Sequence, residues 1–88
     1  MRFMVTGTWT SGQRNDMYKQ RMEKGRMLPE NARLLSEWME AAGGRVWALI
    51  ETDDVMALLQ WATAWSNLAD YEFVPVVEVL DDKGMKYA

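Results

Sequence analysis

Three tryptophans, two glutamates and two arginines are the residues of this 88-residue chain whose types and spacing best suit chemistry. Trp9 closes one apolar stretch, and Trp38 and Trp47 lie inside two others. Binding pockets are walled mainly by apolar and aromatic side chains with a few polar groups among them. The three tryptophans are therefore candidates to line one cavity. Tryptophan is also enriched at the centre of subunit interfaces, so packing is the competing reading. Glu37 and Glu51 fall in strand-like segments. A carboxyl held in an apolar pocket has a raised pKa and can act as an acid or base. Two ordinary glutamates facing solvent is the simpler alternative. Arg33 and Arg45 stand on neighbouring segments, placed either to pair with these carboxylates or to hold an anionic ligand.

The missing residue types narrow the chemistry further. The chain has no histidine and no cysteine, so imidazole bases, histidine or thiolate metal ligands, histidine-ligated haem and cysteine nucleophiles are excluded. Ser11, Ser36 and Ser66 have no histidine to activate them. Acid–base work would fall to carboxylates, Tyr18, Tyr71 or a perturbed lysine. Glu51, Asp53 and Asp54 match no calcium-loop spacing, and helix capping explains the two aspartates. No metal or other cofactor is expected.

The formal charge of −3 argues against nucleic acid or an anionic membrane as partner. Residues 14–26 do carry five basic side chains against two acidic ones, which reads as the solvated face of a helix. The longest apolar runs are five residues, far short of the roughly 20 that span a bilayer. The amino-terminal residues alternate rather than forming a hydrophobic segment, so they do not read as a signal peptide. A soluble, cytoplasmic protein is expected.

These candidate residues must be positioned by six elements in the order strand, helix, strand, strand, helix, strand. Residues 2–10 alternate Phe3, Val5, Gly7 and Trp9 with Met4, Thr6 and Thr8, the period of a strand. Gly7 inside it signals a bulge or a close backbone approach. Ser11 or Asn15 is placed to cap a helix running to about residue 24, with Gly25 beyond its end. Its apolar stripe is thin (Met17, Tyr18, Met22), so it should lie loosely across the sheet edge. Residues 30–42 fit both a helix and a strand. Read as a strand over 33–39, the segment runs through Gly43-Gly44 as a hairpin turn into a strand over 45–51, and the strand is preferred because the sheet would otherwise be one member short. In that strand Leu34, Ser36 and Trp38 face one way, and Leu35, Glu37 and Met39 the other. Thr52-Asp53-Asp54 then starts a helix with Val55, Leu58, Leu59, Ala62, Trp65 and Ala69 on its core face. Trp61 joins Trp65 as core. A last strand over 71–80 carries Pro75, which implies an edge or a bulge.

Three of the strands are apolar on both faces. A sheet with helices on one side needs apolar residues on that side only. The other side calls for a second copy of the chain, packed face to face. Residues 1–80 read as one domain and residues 81–88 as a polar tail.

Several stretches resemble domain-of-unknown-function family 3303, a family of small bacterial proteins. They are Arg2-Phe3-Met4-Val5-Thr6, Leu28-Pro29 through Leu34-Leu35 with Trp38, Ala48-Leu49-Ile50-Glu51 followed by Asp53-Asp54, and Trp61-Ala62 with Trp65-Ser66. The resemblance implies an α+β, ferredoxin-like βαββαβ fold. Its four-stranded antiparallel sheet would carry two helices on one face and assemble as a dimeric α+β barrel. It implies no activity and assigns no site residue. The leading expectation is a homodimer holding a small apolar or aromatic ligand, with Trp9, Trp38, Trp47, Arg33, Glu37 and Glu51 as candidate contacts. The alternative is a cofactor-independent enzyme of the barrel-monooxygenase type. RNA binding ranks last, because the third strand lacks the glycine and aromatics of the RNA-recognition module.

Overall fold

A computed structural model describes residues 1–79 of the chain; the polar tail expected over residues 81–88 lies outside them. The alternating segments form β1 (Arg2–Thr8), β2 (Arg33–Met39), β3 (Arg45–Glu51) and β4 (Asp70–Val76). The helices are α1 (Arg14–Lys24), preceded by a 3-10 turn at Ser11–Gln13, and α2 (Val55–Trp65). The strands form one antiparallel sheet in the order β2-β3-β1-β4. This is the α+β, ferredoxin-like βαββαβ arrangement. Residues 33–39, which suit a helix locally, are a strand because the hairpin pairs them with β3. Glu40 and Arg45 close that hairpin, and Gly43 and Gly44 supply its positive φ angles of 79° and 106°.

Phe3, Val5, Val46, Ala48 and Ile50 point to one side of the sheet and form its buried floor. Gly7 lies on the same side, opposite Tyr71 of β4. A Cβ there would stand 2.2 Å from the Tyr71 ring. The glycine therefore marks a close approach; β1 keeps an unbroken register and has no bulge. The bulge lies instead in β2, between Leu34 and Ser36. It overturns the simple alternation expected for that strand. Leu34 pairs with Ile50, Glu37 with Ala48 and Met39 with Val46, so these three share the helix side, while Ser36 and Trp38 face away.

Both helices differ from the expected stripes. On α2 the buried residues are Ala57, Leu58, Trp61 and Trp65, whereas Val55 and Leu59 are 62% and 57% exposed. Burying two indoles outweighs burying two aliphatic chains, and the helix rotates accordingly. On α1 only Met17 is buried, and Met22 points to solvent. Five residues of helix separate the two by about 140°, so they cannot share a face. Neither Ser11 nor Asn15 caps this segment. Thr10 is instead the N-cap of the 3-10 turn, its amide donating to the Gln13 side chain at 3.0 Å, and Gln13 stands at the N-cap of α1 without a side-chain cap bond. Gly25 ends α1 with φ 67°, its amide donating to the Arg21 carbonyl at 2.8 Å. Asp54 caps α2 as expected, accepting from the Met56 amide at 3.0 Å. β4 stops at Val76 rather than near residue 80, because Val76 pairs with Arg2, where β1 begins. Pro75 sits on the edge strand, the position its missing donor requires.

Candidate functional site

The bulge in β2 has a chemical result: it aims Glu37 into the space between the sheet and α1. Its side chain is only 14% exposed. Arg21, one helical turn beyond the buried Met17, donates to Glu37 Oε1 at 2.6 Å. Arg26 reaches the same oxygen from the loop after Gly25, through Nη2 at 3.1 Å and Nε at 3.2 Å. All of these bonds fall on Oε1, and Oε2 carries none among the described residues. Burial pushes the Glu37 pKa up, but the hydrogen bonds and charges of the two arginines outweigh it and hold the carboxyl below its ordinary value. That reverses the raised pKa expected from an apolar setting.

A cavity opens beside this cluster. Val5, Val46 and Ala48 form its floor, and Trp9, Trp61, Trp65 and Tyr71 its aromatic wall. Tyr18, Arg21, Arg26 and Met39, all partly exposed, mark its mouth at the β2 edge. Its free volume is about 20 Å³, room for about one water. Tyr71 packs against Trp61 with ring centroids 5.3 Å apart. Burial and the nearby Glu37 charge raise its pKa to about 12, so the phenol stays protonated across the physiological range. Trp9 is 8% exposed, and its Nε1 is a buried donor with no hydrogen-bond partner among the described residues. Such a donor costs free energy until an acceptor reaches it.

The backbone around the mouth is pinned. The indole N–H groups of Trp61 and Trp65 both donate to the Arg26 carbonyl at 2.8 Å. Met27, the next residue, has φ 57°, a left-handed conformation uncommon outside glycine. Two indoles on one carbonyl hold the loop in this strained geometry and so fix where the Arg26 side chain starts.

Of the six candidate residues, the fold brings together Trp9 and Glu37. Trp38 and Trp47 pair across β2 and β3 on the opposite side of the sheet, so the three tryptophans do not line one cavity within the subunit. Glu51 also faces away from the cavity, bonded to Arg2 at 3.4 Å. Arg33 is exposed at the start of β2, opposite Glu51 in register, and forms no ion pair with either glutamate among the described residues. Arg45 lies over the Trp47 ring at 5.7 Å. The parity of each strand decides these placements. Arg21 and Arg26 escaped the sequence reading because they belong to a basic run that looks like a solvated face. The signal that could have found Arg21 is its position four residues after Met17, on the only inward stripe α1 has. Among the described residues no group of three acidic side chains gathers as a metal site.

The profile of the domain of unknown function DUF3303 matches residues 1–85. The chain belongs to the DUF3303 family. No curated protein and no solved structure matches it. Among the described residues no helix is long and apolar enough to cross a membrane.

Proposed function

We propose that this DUF3303 protein is a cytoplasmic, small-ligand-binding homodimer whose site is the space between α1 and the sheet. The observation that carries the reading is that an ionised, buried Glu37 and the indole of Trp9, whose Nε1 has no partner among the described residues, both line one aromatic-walled cavity. A buried donor without a partner is rare, and an acceptor on a bound ligand is one way to satisfy it. A cavity with room for one water must widen to admit a ligand. Helix α1 can move to do so, because Met17 is its only buried side chain. Titrating the protein with a fragment panel, followed through the indole N–H signals, tests the reading. Saturable shifts at Trp9 support it; a panel that leaves Trp9 untouched removes it.

The far side of the sheet supports the dimer. Leu49, Met4 and Val74 make one row across it, with Trp38 and Trp47 beside them. Trp38 is 58% exposed. Arg33, Glu51 and Arg2 lie towards one end of the strands and Arg45 and Asp70 towards the other, and the exposed Glu72 ends the Trp38, Trp47 and Thr6 row at the β4 edge. An apolar centre within a polar rim is the anatomy of a protein interface. The sheet face itself covers roughly 450 Å² at ordinary strand spacing and rise, against about 800 Å² per partner in a stable complex. Light scattering at micromolar concentration should give twice the chain mass, and Leu49→Asp should give the monomer. A monomeric wild type would end this part of the proposal.

A second reading is a cofactor-independent enzyme. It is favoured by Glu37 and Tyr71, neighbouring groups whose environments push their pKa values in opposite directions. Oxygen uptake with electron-rich phenols, lost in Glu37→Gln, would support it. No turnover across such a panel would dismiss it.

A further inference from the structure

We infer that the ligand is a small organic anion, a carboxylate joined to an aromatic or other planar apolar group, and that it binds by taking arginine donors from Glu37. The inference rests on the ligand-binding reading above and narrows it. The cavity wall is rich in donors. Arg21 and Arg26 carry several N–H groups each. Trp9 Nε1 has no acceptor among the described residues, and Tyr71 brings a phenol hydroxyl to the same lining. Against these stands one carboxylate, with Oε2 as its one unengaged oxygen. The three charged side chains sum to +1, and no second acidic residue lines the cavity.

Charge decides between ligand classes. A cation would have to win Glu37 from two arginines and would leave the Trp9 donor still unpaired. A purely apolar molecule would satisfy neither the orphan donor nor the surplus charge. A carboxylate matches the planar fork of an arginine, with two parallel bonds, and can offer its second lone pairs to Trp9 or Tyr71. Tyr71 supports this as a neutral phenol, able to donate to an anion without repelling it. The aromatic wall of Trp61, Trp65 and Tyr71 supplies the surface for a planar body. Arg21 and Arg26 are 32% and 45% exposed at the mouth, so they can turn to an incoming anion while the indoles hold the Arg26 backbone in place.

The test uses the full chain and isosteric probes: sodium benzoate, benzamide, benzamidine and phenol, with inorganic phosphate as a bare anion. Binding is read from the Trp9 indole N–H signal and tryptophan fluorescence. Benzoate should bind about tenfold or more tighter than benzamide, the difference expected of a charge-assisted pair, and benzamidine should not bind. Arg26→Met should weaken benzoate about tenfold and leave benzamide unchanged. Glu37→Gln should bind benzoate more tightly, since the arginines lose their internal partner. Far-UV circular dichroism checks that each variant is folded. If benzamide, phenol or benzamidine shifts Trp9 at lower concentration than benzoate, the cavity binds ligands but the anion assignment falls. Phosphate matching benzoate would also overturn it, by showing an unselective basic patch. If no probe shifts Trp9, both the assignment and the ligand-binding reading fail.

Discussion

The two helices lie on the same side of the same sheet and are held there by different physics. Helix α2 is anchored by Ala57, Leu58, Trp61 and Trp65, and is capped by Asp54. Helix α1 buries Met17 and is otherwise tied by polar bonds: Arg14 to the Ala42 carbonyl in the β2–β3 hairpin, Gln20 to Asn67, and Arg21 to Glu37. Apolar burial removed from water is non-directional and hard to exchange for anything else. Polar ties can be exchanged for water or ligand at little net cost. The contrast therefore assigns α2 to the permanent core and α1 to the part that can yield.

The strongest way to break this contrast is in α2. Trp61→Ala should cost about 3–5 kcal/mol of global stability in a denaturant titration. A loss under about 1 kcal/mol would mean that α2 is not the anchor. Gly7→Ala attacks the floor that both halves share. Its methyl group meets the Tyr71 ring, and about 3 kcal/mol of destabilisation is expected, together with altered Tyr71 and Trp61 ring signals. Met17→Ala should act locally. Amide exchange in α1 should speed up by the equivalent of about 2 kcal/mol, with β1 and β3 protection little changed. Uniform loss of protection would show that α1 is as integral as α2.

The smallest effect is expected at the polar clasp. Arg21→Met should cost about 1 kcal/mol, because the partly exposed pair is screened by solvent. Its pH signature is more telling. The folded pKa of Glu37 is lowered, so its contribution is complete above the ordinary value of 4.5 and is lost as pH falls through the folded value. Glu37→Gln should flatten stability against pH in that acid window. Tyr71 runs the other way. Its pKa rises from 10.0 to about 12, so its contribution holds below pH 10 and is lost between the two values. Tyr71→Phe should remove the tyrosinate absorbance that appears near pH 12 and leave the acid limb intact.

Much of the architecture was legible in the residues. The order of elements, the Gly43-Gly44 hairpin, the Asp54 cap and the core position of Trp61 and Trp65 all follow from local patterns. The site was half legible. Glu37 stood out as a strand carboxylate among apolar residues and Trp9 as a terminal aromatic, but their partners did not. A bulge at Leu35 changes the parity of a strand without changing its composition, so facing directions on one side of it could not be read from alternation. Arg26 reaches Glu37 only because Gly25 turns the chain back, and no periodicity within α1 announces that. The pKa of Glu37 went the opposite way for the same reason: its sign depends on who stands nearby, which is a tertiary fact.

The two rims of the sheet bear on how copies of this chain can associate. One rim, β2, is kinked at Leu35, and the other, β4, carries a proline that cannot donate. Irregular borders of this kind are poor templates for adding strands side by side. Open-ended fibre growth along the hydrogen-bonding direction is thereby discouraged, even though the chain is rich in β-forming sequence.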